Sequence, residues 1–201
     1  MNLMNPINNQ NAIDISDFAR GLSADNVSER NQFAKVIFLL GTRMARSTVD
    51  RWLGDSSLAK LLVTDESGAP SLTVGLAVEP ASFEKIRTAN GSPRLSEVPP
   101  DQDAKEFELH FPGNARLDIL TTTDREGAGA IARYLQKFGE GIQQIEIRTT
   151  SVDRATEILR ETFGVASIYP ASRAGADATR VNFFLVTTPE GRKLLMELVE
   201  A

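Results

Sequence analysis

Ile142-Gln143-Gln144-Ile145-Glu146-Ile147-Arg148 carries the reading on which the fold turns. Polar and apolar residues alternate there with a period of two, the mark of a half-buried strand. Gln144, Glu146 and Arg148 fall on one face, Ile145 and Ile147 on the other. Downstream, Ser151 is placed to cap a helix whose apolar stripe is Val152, Ala155, Ile158 and Leu159 and which stops at Phe163-Gly164. Short strands are then predicted at 166–169, 180–186 and 194–200. The order is strand, helix and three strands.

The same order occurs earlier. Leu72-Thr73-Val74-Gly75-Leu76-Ala77-Val78 alternates, with the even-numbered residues apolar. Pro80 opens a helix that contains Phe83 and Ile86 and ends at Asn90-Gly91. Strands are predicted at 94–98, 106–111 and 116–121, with a tight turn at Phe111-Pro112-Gly113-Asn114 and its counterpart at Thr188-Pro189-Glu190-Gly191. A β-α-β-β-β unit cannot close its own sheet, so two must pair. The expected fold is therefore α+β: two βαβββ modules, 71–122 and 141–201, forming a half-open barrel with a concave cup. A linker helix over 124–138 joins them, and the whole domain covers 70–201.

Residues 1–69 do not belong to the repeat. A polar lead is followed by a short helix at 15–22. Asn26-Val27-Ser28-Glu29 reads as a capping box before a helix to about residue 45, with Phe33, Val36, Ile37, Leu40 and Met44 in one stripe. Ser47-Thr48-Val49-Asp50 reads as a second capping box, opening a helix through Trp52 that stops at Gly54. A short helix or strand covers 58–63. This extension is expected to be a packing or dimerisation arm, or else a lid over the cup.

Of the 201 residues, 41% are hydrophobic and the net charge is −5. That balance gives nucleic-acid binding no electrostatic support. There is no cysteine, which excludes disulfide and thiolate chemistry. The apolar run 36–40 is too short to span a bilayer, and no signal-like segment opens the chain, so a cytoplasmic protein without a membrane partner is expected.

Gly139-Glu140-Gly141-Ile142-Gln143-Gln144-Ile145 resembles the Gly-Glu-Gly-(Val/Leu)-x-His-Ile segment found in the vicinal oxygen chelate superfamily. That superfamily includes glyoxalase I, bleomycin resistance proteins and extradiol dioxygenases. The likeness is nearest to methylmalonyl-CoA epimerase and 4-hydroxyphenylpyruvate dioxygenase, and the ending 194–200 is similar to the epimerase ending. It covers about 70–201. It implies a divalent metal held by the first and last strand of each module, which here means Thr73, Asp118, Gln144 and Glu197. Gln144 follows Thr73 by 144 − 73 = 71 positions, and Glu197 follows Asp118 by 197 − 118 = 79.

Where the family commonly has His, this chain has Thr73 and Gln144. A donor set of oxygens alone suits a hard ion such as Mg or Ca. The lone His110 excludes a two-His facial triad within one chain. The leading expectation is thus a divergent glyoxalase-like protein, a homodimer whose cup binds a small organic anion without a conventional His-ligated metal. Arg116 and Arg148, with Gln144 and Thr73, are the candidate ligand-binding residues, because guanidinium groups grip carboxylates with two hydrogen bonds. Glu197 and Glu146 are the candidate bases. Two alternatives stand beside it. One is an epimerase, isomerase or lyase that acts next to a carbonyl with or without a metal; the resemblance implies carboxylates that move the proton. The other is a dimeric scaffold with a cup plugged by salt bridges.

Overall fold

The computed structural model of the chain describes residues 16–188, 191 and 193–200. The polar lead, the first residue of the expected helix at 15–22, and Pro189 and Glu190 of the second turn lie outside them. Helices α1 (Ser16–Leu22), α2 (Val27–Leu53) and α3 (Ser56–Ala59) precede strand β1 (Leu72–Ala77). Helix α4 (Pro80–Ala89) and strands β2 (Ala104–Phe111) and β3 (Ala115–Thr122) complete the first module. After helix α5 (Ala130–Phe138) come β4 (Gly141–Arg148), α6 (Val152–Phe163), β5 (Arg173–Ala174), β6 (Arg180–Thr187) and β7 (Lys193–Glu200). The seven strands form one mixed sheet in the order β2-β3-β1-β4-β7-β6-β5, curled into a half-barrel.

The register shows how the modules relate. In the parallel pair β1–β3, Val74 lies beside Leu117 and Gly75 beside Asp118. In β4–β7, Ile145 lies beside Met196 and Glu146 beside Glu197. Adding 71 to β1 and 79 to β3 turns the first set into the second. At the seam, Thr73 faces Glu146 and Gly75 faces Gln144, two pairs that exchange under the same shift. The spacings read from the sequence are those of a pseudo-twofold axis through the β1–β4 seam.

One sheet face is apolar and convex. Val74, Leu76, Phe107, Leu117, Ile145, Ile147, Met196 and Leu198 pack there with α4 and α6 in a single core. Phe83 meets Phe107 edge-on at 4.8 Å between ring centroids. The burial of Val152, Ala155, Ile158 and Leu159 matches the predicted stripe.

Helix α2 crosses this same face. Asn26 caps it, accepting from the Ser28 and Glu29 amides as the sequence indicates. The helix then continues to Leu53, where the sequence suggested a break before a second cap. No proline interrupts it, and Ala45, Val49 and Trp52 extend the buried stripe in helical spacing. Because Gly41 lies against Val74 and Ile145, α2 sits behind the seam, on the face opposite the cup, and is not a lid over it. Of the stripe that offered a dimer interface, Trp52 is 1% exposed and packs edge-on to Phe184, while Phe33 and Val36 are half-buried and Leu40 is exposed.

Three other expectations are corrected. The linker helix begins at Ala130, because Gly127 and Gly129 favour a loop over 124–129. Residues 94–98 form no strand, and 166–169 contribute only an isolated bridge from Ser167 to Phe184. The first of these segments instead binds the opposite module, whereas 166–169 stays on its own module, with the Ile168 amide donating to the Phe183 carbonyl. Glu97 donates its amide to Asp177 and accepts from the Asp177 amide, and Arg94 pairs with Asp177 at 2.9 Å.

A side chain at Gly41 would force α2 off the seam, since an added Cβ would sit 2.6 Å from a Val74 methyl and 3.0 Å from Ile145. Gly41→Val is expected to cost about 2 kcal/mol in urea unfolding, the cost of overpacking. An unchanged midpoint would place the helix elsewhere.

Candidate functional site

The concave face encloses a cavity of about 660 Å³. Strand alternation delivers its floor. Asp118 projects from β3, Gln144 and Glu146 from β4, and Glu197 from β7, while β2 adds Glu106 and Glu108. Gly75 leaves the floor open beside the seam. Its absent side chain makes room for Gln144, whose Cγ would lie 2.4 Å from a Cβ built there. Helix α5 closes one end through Ile131, which packs with Leu120. The mouth is bridged by Arg173, which pairs with Asp101 at 2.6 Å, and by Gln102, which donates to the Ala174 carbonyl.

The expected site residues divide into two groups. Gln144, Glu146, Arg148, Asp118 and Glu197 come together in the cavity lining. Thr73 faces Glu146 across the seam but is buried and does not line the cavity. Arg116 turns away and donates to the Ser71 hydroxyl at 2.6 Å. Arg148 lies 3.9 Å from Glu108. The two guanidinium groups therefore do not converge on one anion site. His110 is on the rim, with its side chain 64% exposed and Nε2 3.1 Å from Glu108. The cup is not plugged.

Glu106, Glu108, Gln143, Tyr169 and Phe183 were missed in the sequence. Extending the alternation to β2 and β6 would have found three of them, since Glu108 is registered with Asp118 and Phe183 with Glu197. Gln143 could not be found that way. A β-bulge skips it, with Leu76 paired to Ile142 and Gly75 to Gln144, and re-aims it into the cup.

The floor is strongly acidic. Gln144 donates its amide to Glu197 at 2.6 Å and approaches Glu146 at 3.5 Å. Burial, followed by the nearby carboxylates, pushes Asp118 and Glu197 well above the usual carboxylate range. Burial and the charge of Glu108 raise Glu146 to about 7, against the pull of Gln144, Asp118 and Arg148. Burial, with Glu146, Asp177 and Glu108, raises Glu106 to about 7 as well.

Against solved structures, a methylmalonyl-CoA epimerase from Mycobacterium tuberculosis is 32% identical, with a TM-score of 0.51 over 64% of this chain and 85% of that one. A hypothetical protein from Bacillus halodurans C-125 is 27% identical, with a TM-score of 0.51 over 64% and 91%. The Streptomyces coelicolor methylmalonyl-CoA epimerase, solved with 2-nitronate-propionyl-CoA, is 25% identical, with a TM-score of 0.51 over 70% and 98%. The chain belongs to the vicinal oxygen chelate superfamily. No family model and no curated protein matches the sequence.

The superfamily implies a divalent metal, and the donors of this superfamily member do not fit one as arranged. Thr73 is covered, and Gln144 turns its amide nitrogen, a donor with no lone pair for a cation, toward the carboxylates. Among the described residues no group of three or more His, Cys, Asp or Glu side chains is disposed to hold a metal ion. Among those residues, too, no helix is long and apolar enough to cross a membrane.

The acidic floor should be visible in stability. The carboxyls of Glu106 and Glu146 bind protons more tightly folded, near 7, than at their ordinary 4.5. Their contribution is full below pH 4.5 and is lost as pH rises toward 7, where burial and the charge of Glu108 disfavour both ionised carboxylates. The melting temperature should fall between pH 5 and pH 8, and the Glu106→Gln plus Glu146→Gln variant should flatten that slope. A slope that the double variant leaves intact would assign the pH dependence to other groups.

Proposed function

We propose that this is a divergent glyoxalase-like protein whose cup binds a small organic molecule without a His-ligated metal. In this reading residues 70–201 are the ligand-binding domain and 1–69 an extension that braces its convex face. One observation carries it: an unfilled cavity of about 660 Å³ with hydrogen-bonding groups on its floor and a Phe183–Tyr169 wall, the make-up of a small-molecule site. The scaffold alternative has less support, because the cup is open and Trp52 is spent in the core.

Fragment binding followed by ligand-observed NMR tests the proposal. Hits should weaken about three- to tenfold in Phe183→Ala, the worth of an aromatic contact. Hits indifferent to that change, and equally to Glu106→Gln, would place binding outside the cup and remove the reading.

The likeness to an epimerase at 32% identity favours a second reading. Here Glu146 or Glu197 takes a proton from the carbon next to a carbonyl, and a protonated carboxyl of the cup returns one. Gln144 and Arg148 are the donors available to the developing enolate oxygen. Methylmalonyl-CoA incubated with the protein in D2O should then gain deuterium at that carbon by NMR. Glu146→Gln should slow the exchange about a hundredfold or more. No incorporation by the wild-type protein would sink this reading and leave the first intact.

A further inference from the structure

The two walls of the cup differ in kind, and the pseudo-twofold axis shows how. Glu106 and Glu108 of β2 pair with Leu120 and Asp118 of β3. Val181 and Phe183 of β6 pair with the equivalent Val199 and Glu197 of β7. At matched positions the first module presents carboxylates and the second an aliphatic and an aromatic side chain. Tyr169 extends the apolar wall, meeting Phe183 edge-on at 6.0 Å, and Ile168 and Leu195 complete it.

The acidic wall is compensated only in part: Arg133, Arg148 and Arg173 also line the cavity, against a larger number of carboxyl side chains. Arg148 leans on Glu108, Arg173 on Asp101 and Arg116 on Ser71. Among the described residues no arginine or lysine forms an ion pair with Glu106, Asp118, Glu146 or Glu197. Gln143 adds an acceptor to the same lining: its Oε1 is buried without a hydrogen-bond partner. A low-dielectric cleft in which charge of one sign predominates focuses the field and concentrates ions of the other sign. A carboxylate ligand would enter against that field, whereas an ammonium would enter with it and can also rest on aromatic faces. A bare inorganic cation would leave the apolar wall unused.

We propose that the cup takes an amphipathic organic cation, an ammonium head against the Glu106–Glu108–Glu146 wall with an apolar body on Phe183 and Tyr169. The inference rests on the reading of the cup as a ligand site and specifies the ligand class.

Matched probes separate the two. Isothermal titration calorimetry and NMR shifts of cup resonances would compare 2-phenylethylamine, 2-phenylethanol and phenylacetate, with ammonium chloride as the head alone. The amine should bind about tenfold or more tighter than the alcohol, and the acid more weakly than either, because juxtaposed like charges repel. Ammonium chloride should bind far more weakly than the amine. Glu106→Gln plus Glu108→Gln should erase the preference for the amine over the alcohol. Phe183→Ala should weaken both, and circular dichroism would verify that the variants are folded. An acid that binds as tightly as the amine, or a preference that survives the double substitution, overturns the inference while leaving the cup a ligand site. Cup resonances that no probe perturbs overturn both.

Discussion

The β1–β4 seam is the contact on which the rest of the molecule depends. Each half-sheet ends at a strand that has no further partner in its own module, so the unpaired backbone groups of β1 are satisfied only by β4. Their pairing joins two similar units into one curved sheet and fixes the relative position of everything on its two faces. Glycine serves the seam from both sides. On the convex face Gly41 lets α2 approach Val74 and Ile145, and on the concave face Gly75 leaves space for Gln144.

The seam also gathers like charges. Asp118, Glu146 and Glu197 reach the floor from β3, β4 and β7 because they occupy cup-facing positions of equivalent or paired strands. A carboxylate buried among carboxylates holds its proton or finds a cation, since each charged form raises the cost of the next. The raised affinities of Glu106 and Glu146 for protons, the amide of Gln144 turned to Glu197, and the preference for a cationic head have this one cause. The second module breaks the symmetry with Val181 and Phe183, so the cup is amphipathic although the fold is repeated.

The departures from local expectation share a physical origin in contacts between distant segments. Residues 94–98 have strand-like composition, but their polar groups bond across the modules to Asp177 rather than along a sheet edge, and 166–169 adds only one bridge to β6. Ser47-Thr48-Val49-Asp50 has the letters of a cap, yet burial of Val49 and Trp52 against the sheet rewards an unbroken helix. The bulge at Gln143 has no sequence signature, because it comes from fitting β4 to β1.

By itself the sequence determined the strand-helix-strand order of both modules, the caps at Asn26 and Ser151, and the equivalences Thr73–Gln144 and Asp118–Glu197. The order and the caps follow from periodicity and capping chemistry, which are local, and the equivalences from the family resemblance, with the spacings in support. It also assigned Gln144, Glu146, Asp118 and Glu197 to one face, because alternation requires it. Only the tertiary structure decided that α2 braces the convex face, that Arg116 turns to Ser71 and away from the cup, and that Glu106 and Glu108 face Phe183 across the cavity. Each of these depends on which strands become neighbours and how the sheet curls, and that is settled by packing between residues far apart in the chain.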